Sequence, residues 1–372
     1  MDSGRTVAAP RVLQVVLGLN PGGTERLVIE LTRRLCDKIP MAVCCLDEAG
    51  EWAETLTRTG VPVESLGRRQ GFDVRLGPHV RRVAHAHRAS VMHCHHYSPF
   101  VYGSLARISG AKCRMVFTEH GRLSDAQPSL KRRAANVFFS RFADRVFTVS
   151  EDLRRHLVQE GFSEDAVGVI YNGIDVGPRV NGTASNRIRE QLSVSPSALM
   201  VGSVGRLDPV KDLGTLLKAI ADVRRNFPAE LMIIGDGPER GRLEAAVVEN
   251  GLEHHVHFLG YRSDAREWLA ACDVYVNTSV SEGISLTILE AMAAALPVIA
   301  TRVGGTPEIL DATCGILVPA RDPQSIAGAL VQFAREPEWR RQLGHAARVR
   351  VEERFTLERM IQQYCDVYRT VA

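Results

Sequence analysis

The sequence predicts two Rossmann-like α/β domains of similar size, each built on a doubly wound parallel sheet, with a cleft between them. Short β-branched runs alternate with helical patterns along all 372 residues, as expected for such sheets. The runs are continuously apolar, which is typical of strands covered on both faces. A segment rich in glycine, proline and polar residues, 176–185, interrupts the alternation and predicts a linker.

The first half contains six strand candidates and three clear helix candidates. Strands are predicted at Val12–Leu17, Met41–Leu46, Val61–Leu66, Val91–His95, Cys113–Thr118 and Val146–Ser150. Helices are predicted at Thr24–Cys36, Arg75–Arg88 and Leu130–Phe142.

The second half repeats the alternation after the linker. Strands are predicted at Ala198–Val204, Glu230–Ile234, Val256–Leu259, Val274–Asn277, Val298–Thr301 and Ile316–Val318. We place the domain boundaries at 1–178 and 179–355, with a C-terminal helix over 356–372 that returns to the first domain. Ligands of open α/β sheets bind beyond the carboxyl ends of the strands, so the loops at those ends are the candidate sites.

The composition and the apolar pattern argue against a membrane-spanning, secreted or disulfide-bonded protein. The hydrophobic fraction of 45% and the charged fraction of 24% are ordinary for a globular protein. No apolar run is long enough for a transmembrane helix, and the N-terminal residues lack the apolar segment of a secretory signal. The eight cysteines are scattered without a C-x-x-C pair, which predicts free, buried thiols in a cytoplasmic protein.

Charge is unevenly distributed along the chain. The net charge is +3, yet residues 61–145 hold 15 Lys and Arg against 5 Asp and Glu, or +10. Such a segment either faces an anionic partner or is simply well solvated. We predict no nucleic-acid partner.

Two cations follow the first strand of the second half, in the turn Gly205-Arg206-Leu207-Asp208-Pro209-Val210-Lys211-Asp212. A guanidinium and an ammonium at this place could neutralise a diphosphate as it leaves. A surface turn in which Asp212 caps the next helix would use the same residues.

Two further strand ends of the second half carry glycine. Gly235-Asp236-Gly237-Pro238-Glu239 is a tight strand-to-helix turn, which is mainly turn chemistry. Gly260 and Tyr261 end another strand, where the backbone could approach a flat base closely.

The segment SEGISLTILEAMAAALP, 281–297, is the most informative part of the chain. Glu282 lies in a loop, and a helix with few breakers is expected from Ile284 onward, with Glu290 along it. Free N–H groups and a partial positive charge at a helix N-terminus favour phosphate. Eight residues of helical rise span roughly 12 Å, about the length of a nucleotide sugar between its sugar and its ribose. A solvated loop residue and a helix-face charge would give the same pair of carboxylates.

The first half carries its own polar strand ends. Gly22 and Gly23 follow the first strand, although the sequence there is not the G-x-G-x-x-G dinucleotide fingerprint. His120 follows a predicted strand and precedes a glycine, which favours a site position over a core position. His95, His96 and Tyr97 follow another strand, and the spacing of the histidines does not match a usual zinc pattern.

Taken together, these motifs resemble the retaining nucleotide-sugar glycosyltransferases of family 4, also called glycosyl transferases group 1, which adopt the GT-B fold. The resemblance covers nearly the whole chain. It rests on seven motifs in order: GGTER at 22–26, TEHG at 118–121, YNGID at 171–175, GRLDPVKD at 205–212, GDGPE at 235–239, FLGY at 258–261 and SEGISLTILEAMA at 281–293.

The resemblance implies a role for each matching residue in a hexosyltransferase-type enzyme. Arg206 and Lys211 bind the donor diphosphate, Glu282 holds the transferred sugar, Glu290 holds the ribose and His120 stands beside the sugar. The other expected donor contacts are Gly22, Gly23, Gly205, Gly260, Tyr261, Gly283, Ile284, Ser285 and Leu286. The first domain binds the acceptor, with His95, His96, Tyr97 and Arg122 as candidates.

The absence of any D-x-D sequence argues against a divalent ion that bridges the diphosphate, so we expect no metal and no cofactor. The hypothesis is transfer with retained configuration, in which the diphosphate leaves on the face where the acceptor hydroxyl arrives and helps to remove its proton. A UDP-sugar is favoured as donor. One departure from the family is Ala295, where relatives usually carry glycine; if this position needs a positive φ, alanine costs about 1 kcal/mol.

The acceptor is predicted to be a glycan or a lipid-linked molecule of cell-surface polysaccharide or glycoconjugate synthesis. The basic, aromatic segment 131–145 could lie on an anionic membrane at its cytoplasmic face. In the alternative, its phenylalanines face the core and its cations face water. Rival functions are a nicotinamide-dependent dehydrogenase, which the missing fingerprint opposes, a nucleotide-sugar epimerase, and a non-catalytic nucleotide-sugar-binding protein of the same fold.

Overall fold

A computed structural model describes residues 9–69, 71–122, 129–178 and 182–372, without the side chains of 182–184. The chain divides by its contacts into two units. The first comprises residues 1–172 with 358–372, and the second comprises residues 173–357. The last helix therefore belongs to the first unit, although it follows the whole of the second along the chain.

The first unit is built on a seven-stranded parallel sheet with the order β3-β2-β1-β4-β5-β6-β7. Its strands are β1 Val12–Val16, β2 Met41–Cys45, β3 Val63–Ser65, β4 Val91–His95, β5 Arg114–Glu119, β6 Arg145–Thr148 and β7 Val167–Val169. The order reverses between β1 and β4, which is the switch point where ligands of such sheets bind.

The helices of the first unit cover both faces of this sheet, as parallel strands require. They are α1 Gly23–Leu35, α2 Ala53–Thr57, α3 Leu76–Ala86, α4 Tyr97–Ile108, α5 Leu130–Ser140 and α6 Glu151–Gln159, with α15 Leu357–Val371 from the C-terminus. In α1, buried Leu27, Leu31 and Leu35 recur every four residues and form one apolar face.

The predicted strands of this unit are found with small changes. The strand expected at Val146–Ser150 ends at Thr148, because the Ser150 hydroxyl caps α6 by accepting a bond from the Leu153 N–H. Strand β7 was missed: it has three residues with a central Gly168, too short to show a period.

The second unit contains a six-stranded parallel sheet with the order β10-β9-β8-β11-β12-β13. Its strands are β8 Leu199–Val204, β9 Ala229–Ile234, β10 Val256–Phe258, β11 Val274–Asn277, β12 Val298–Thr301 and β13 Gly315–Val318. Its helices are α7 Gly182–Gln191, α8 Leu213–Arg224, α9 Arg240–Glu249, α10 Ala265–Leu269, α11 Leu286–Ala293, α12 Thr306–Ile309, α13 Pro323–Arg335 and α14 Pro337–Arg354. The order reverses between β8 and β11, so the switch point of this unit lies there.

The linker expected at 176–185 is only partly a linker. Residues 179–181 lie outside the described part of the chain, as do residues 1–8 of the N-terminal segment. Helix α7 already begins at Gly182, so the prediction was wrong for 182–185. Small polar residues of this kind are accepted at a helix start, which hides the boundary from composition.

The eight cysteines are all free thiols, seven of them buried and Cys36 half-buried, as the sequence predicts. Among the described residues, no helix is both long and apolar enough to cross a membrane.

Candidate functional site

Three loops meet beyond the carboxyl ends of β8, β9 and β10 in the second unit. The Gly235 N–H donates to Gly260 O at 2.8 Å, and the Gly205 N–H donates to Ile234 O at 3.0 Å. A Cβ on Gly235 would lie 1.9 Å from Gly205 O, and its φ is +138°. Only glycine allows these loops to approach so closely. The GDGPE motif, weak in the sequence alone, therefore supports the loop that carries Arg206.

A pocket opens at the switch point between β8 and β11. Its polar lining comes from the turn after β8 and from the end of β11. The lining includes Ser203, Gly205, Arg206, Lys211, Asn277, Thr278 and Ser279. Both cations predicted to bind a diphosphate thus border one pocket.

Lys211 and Glu282, predicted separately, form one ion pair. The Lys211 Nζ donates to Glu282 Oε1 at 2.6 Å, and the side chains are 22% and 11% exposed. The same oxygen accepts from the Ser279 hydroxyl at 2.6 Å and from the Asn277 amide at 3.3 Å. Three donors thus converge on one carboxylate oxygen of Glu282, beside residues that line the pocket.

Local hydrogen bonds hold the turn that carries Lys211 in position. The turn Pro209–Lys211 begins at Asp208, whose carboxylate accepts from the Val210 N–H at 3.1 Å. The Thr278 hydroxyl donates to Lys211 O at 2.8 Å. Asp212 follows in the left-handed region with φ 43°. The turn after β8 is thereby tied to the loop after β11.

The glycine pair Gly304-Gly305, after β12, supports Glu282 from behind and was missed in the sequence. A Cβ on Gly304 would lie 1.8 Å from Glu282 O, and its φ is +51°. The Gly305 N–H donates to Gly283 O at 3.1 Å. A pair of adjacent glycines in the loop after a strand was the available signal, the same one used for Gly22 and Gly23.

Helix α11 begins two residues later than expected, at Leu286 with Ser285 as N-cap. The Ser285 side chain makes no capping bond; its hydroxyl lies 3.2 Å from the Thr287 hydroxyl. Ile284 and Leu286 are buried, so their side chains are not open to a ligand. The first N–H groups of α11 carry no side-chain cap, as an anion-binding helix start requires.

Two predicted donor contacts are open to solvent. The Arg206 side chain is 71% exposed, with its Nε 4.0 Å from Asp208 Oδ2. Tyr261, beyond Gly260, is 55% exposed. Glu290 is half-buried on α11.

The candidate residues of the first unit meet around His96. Its Nε2 lies 2.9 Å from the Thr24 hydroxyl, directly after Gly22-Gly23, and its Nδ1 lies 2.9 Å from Glu119 Oε1. Burial opposes the charge on His96, but the hydrogen bond to Glu119 and the charges of Glu119 and Glu25 raise the pKa of His96. The histidine therefore links the glycine turn to the TEHG loop.

His120 lies beside this residue. The backbone N–H of His120 donates to Glu119 Oε1 at 3.0 Å, and the ring Nε2 lies 3.0 Å from His95 Nδ1. Burial, with the charge of His96 and His95, lowers the pKa of His120 well below its usual value. His95 is 2% exposed, and both of its ring nitrogens are engaged by other side chains.

The remaining acceptor-side candidates have partners within the first unit. The Tyr97 hydroxyl donates to Asn136 Oδ1 at 2.7 Å, and the Arg132 guanidinium lies 4.9 Å from the Tyr97 ring centre. Arg122 donates to Asp152 Oδ2 at 2.6 Å. Neither side chain joins the histidine cluster through these bonds.

Two parallel-sheet Rossmann-like domains with these strand-end loops define the GT-B class of fold. Residues 21–177 match the family described as Glycosyltransferase Family 4, and residues 198–336 match the one described as Glycosyl transferases group 1. The chain is 30% identical to an uncharacterised glycosyltransferase of Methanocaldococcus jannaschii over 75% of each chain. It belongs to the family 4 glycosyltransferases, as the motifs predict, and is an enzyme of the hexosyltransferase type.

Other relatives and solved structures are also similar over most of the chain. The chain is 28% identical to the N-acetyl-alpha-D-glucosaminyl L-malate synthase of Bacillus anthracis, over 81% of this chain and 80% of that one. The HepE protein of Anabaena, solved in complex with UDP-glucose, is similar with a TM-score of 0.87, 25% identity and coverage of 97% and 100%. The sucrose-phosphate synthase of Thermosynechococcus elongatus shares the fold, with a TM-score of 0.82, 21% identity and coverage of 97% and 99%.

Proposed function

We propose that this glycosyltransferase moves a sugar from a nucleotide-diphosphate sugar to a hydroxyl group of a glycan or lipid-linked acceptor. The observation that carries the proposal is the Lys211–Glu282 pair at the switch-point pocket. A cation for phosphate and a carboxylate for sugar hydroxyls are there held 2.6 Å apart. Cell-surface polysaccharide or glycoconjugate synthesis is the process that such a reaction would serve.

Each site residue has one role in this proposal. Lys211 and Arg206 bind the diphosphate together with the N–H groups at the start of α11. Glu282 receives the hydroxyls of the transferred sugar, and Glu290 receives those of the ribose. His120 contacts the transferred sugar.

Transfer is proposed to retain the anomeric configuration and to need no metal ion. The bond from the anomeric carbon to the diphosphate oxygen breaks, the acceptor oxygen bonds on the same face, and the departing oxygen takes the acceptor proton. Lys211 and Arg206 stabilise the charge that develops on the diphosphate. This route uses neither a covalent nucleophile nor a pair of close carboxylates, in contrast to retaining glycosidases.

Replacing Lys211 with alanine tests the role of the cations. We expect turnover to fall by about 100-fold or more, because one preorganised electrostatic contact in such a site contributes about 2.7 kcal/mol or more. Arg206→Ala should act in the same direction, and EDTA should leave the rate unchanged. The measurement is release of free nucleotide, followed together with product formation.

Lys218→Ala, an exposed lysine on α8, is the matched control and should keep full activity. Undiminished turnover of Lys211→Ala, or activity abolished by EDTA and restored by a divalent ion, would refute the cation-based mechanism.

A uridine donor is the preferred assignment. It is supported by the similarity to HepE, which was solved with UDP and with UDP-glucose. A panel of nucleotide sugars, scored by thermal shift and by nucleotide release, tests it. Thermal shift without release by any donor would instead identify a non-catalytic binding protein.

The exposed side chains of helix α5 support the proposal that this protein contacts an anionic membrane, at the cytoplasmic face of that membrane. Leu130, Val137 and Phe138 are 81%, 44% and 47% exposed, and their spacing places them on one helix face. Lys131 and Arg133 are also exposed. Phe139 and Phe142, in contrast, pack against the core. Phe138 therefore fits the membrane interpretation of segment 131–145, whereas Phe139 and Phe142 fit the alternative in which the phenylalanines face the core.

Flotation with vesicles tests this surface. We expect binding to phosphatidylcholine vesicles only when phosphatidylglycerol is present. Removing both Lys131 and Arg133 should weaken binding by about thirtyfold, since each cation near the surface contributes about 1 kcal/mol. Phe138→Ser should also weaken it, whereas Val248→Ser, an exposed apolar residue of the second unit, should not. Binding that ignores anionic lipid would refute the membrane proposal.

A further inference from the structure

A buried chain of hydrogen bonds connects His120 to the C-terminal helix. His120 Nε2 lies 3.0 Å from His95 Nδ1, and His95 Nε2 lies 2.8 Å from Gln14 Oε1. The Gln14 amide nitrogen donates to the Tyr368 hydroxyl at 3.1 Å, which lies 2.7 Å from His93 Nδ1. Gln14, His93 and Tyr368 are 0% exposed, so water does not compete for these bonds.

The Gln14 amide sets the direction of the chain. Its nitrogen donates to the Tyr368 hydroxyl at 3.1 Å, and its oxygen faces His95 Nε2. An amide nitrogen can only donate, and an amide oxygen can only accept. At 2.7 Å from His93 Nδ1, the Tyr368 hydroxyl gives its single proton to that nitrogen while it accepts from Gln14.

The direction at Gln14 defines the tautomers of two histidines. An amide oxygen can only accept, so His95 Nε2 carries a proton. Burial, with the charges of neighbouring histidines, lowers the pKa of both His95 and His120, and both rings are neutral. His95 Nδ1 is then an acceptor, and the proton between the two rings belongs to His120 Nε2.

His120 Nδ1 consequently carries a lone pair and no proton. Within the described part of the chain, this buried nitrogen has no hydrogen-bond partner. In the other tautomer the same position would present an N–H group. The two tautomers select opposite ligand groups, because one requires a donor and the other an acceptor.

We propose that Gln14 and Tyr368 are positioning residues that hold His120 in the tautomer protonated at Nε2, so that Nδ1 accepts a hydrogen bond from a substrate hydroxyl. Neither residue touches the substrate. The identification of that hydroxyl as one on the transferred sugar rests on the proposed function, whereas the tautomer itself does not. Helix α15, which begins at Leu357, 237 residues after His120, thereby determines which atom His120 offers.

The test is nitrogen NMR of protein labelled with 15N-histidine at neutral pH, with His120→Gln to assign the His120 signals. Wild-type His120 should show a protonated Nε2 and an unprotonated Nδ1. Gln14→Met, which keeps the size of the side chain but removes the acceptor, should mix or reverse the two signals. Tyr368→Phe should shift them in the same direction, because the amide loses its acceptor.

Tyr364→Phe is the matched control. Tyr364 is also buried on α15, but its hydroxyl contacts Thr118 and reaches Tyr368 only through Thr118 and His93, without a contact to Gln14. It should leave the His120 tautomer unchanged and kcat/KM within about twofold. Gln14→Met should lower kcat/KM by about tenfold, the equivalent of one hydrogen bond, without a matching loss of thermal stability relative to Tyr364→Phe.

Two results would overturn the proposal: a wild-type His120 protonated at Nδ1, or a tautomer that Gln14→Met and Tyr368→Phe both leave unchanged. The NMR result can be read even if no nucleotide sugar is turned over. An intact tautomer pattern with no transfer activity would therefore refute the proposed function while it supports the positioning role.

Discussion

His96 combines a strained backbone with a ring whose pKa is raised. Its φ of 72° and ψ of 167° lie in a region that is essentially restricted to glycine and costs on the order of 1–3 kcal/mol. Bonds from the ring to Thr24 and Glu119 hold it there. Backbone outliers of this kind cluster at functional sites, and this one lies next to His120.

The raised pKa of His96 predicts a pH-dependent stability. A protonated group with a raised folded pKa stabilises the protein fully below its unfolded pKa of about 6.5, and this contribution is lost as pH rises through the folded pKa. The difference in unfolding free energy between wild type and His96→Gln should therefore be largest below about pH 6.5 and shrink as the pH rises above that value. Chemical denaturation at several pH values measures it, and a constant difference would contradict it.

At the scale of residues, the sequence predicts which residues form the candidate site better than it predicts their contacts. Lys211, Glu282 and His120 could be chosen because each residue type follows a strand and matches a motif. Their contacts could not, since Lys211 and Glu282 are 71 residues apart and Gln14 and Tyr368 are 354 apart. Orientation within a pocket depends on packing that no local pattern records.

At the scale of elements, the end of α11 shows how a sequence departure is accommodated. The Leu296 N–H donates to Ala291 O and the Ala295 N–H donates to Met292 O, which is the Schellman ending of a helix. Ala295 has the φ of 59° that this ending requires and that glycine normally supplies. The condition stated from the sequence, a positive φ at 295, is thus met.

Ala295→Gly should raise the free energy of unfolding by up to about 1 kcal/mol, because the left-handed conformation costs alanine about 1–2 kcal/mol and glycine little. Ala294→Gly is the control, since residue 294 has φ −75°. There glycine only adds freedom to the unfolded chain and should lower stability by about 0.5–1 kcal/mol. Denaturant titrations compare them, and equal signs for the two variants would contradict this explanation.

Strand and helix positions were largely predictable, because buried parallel strands are continuous apolar runs. Failures came where the signal was short or shared. β7 has three residues, and the start of α7 has a composition that a linker also has. The glycine pair Gly304-Gly305 was overlooked, because a glycine pair after a strand does not show which carbonyl it packs against.

At the scale of the whole molecule, the first unit depends on helix α15 for its stability. Tyr364 and Tyr368 of α15 are buried in it, against His93 and Thr118. Deleting residues 358–372 removes both rings, and truncation of a buried aromatic costs about 3–5 kcal/mol. Two such losses approach the whole stability of a typical domain, about 5–15 kcal/mol.

We expect this deletion to unfold the first unit and spare the second. Hydrogen exchange should lose protection in peptides from 9–172 while peptides from 182–357 keep theirs. Gln363→Ala, an exposed change on the same helix, should leave both patterns intact. Protection retained throughout 9–172 would show that α15 is dispensable.

The position of α15 also has a consequence for biosynthesis. Ribosomes add residues in order, at about 5–20 per second, and domains usually fold as they emerge. Residues 9–172 leave the ribosome before the second unit does, yet the first unit cannot be completed until residues 358–372 have also been released. The sheet of the first unit therefore remains without α15 for roughly ten seconds or more while the second unit is translated. The nascent chain therefore finishes its folding in the reverse of the order in which its units are made.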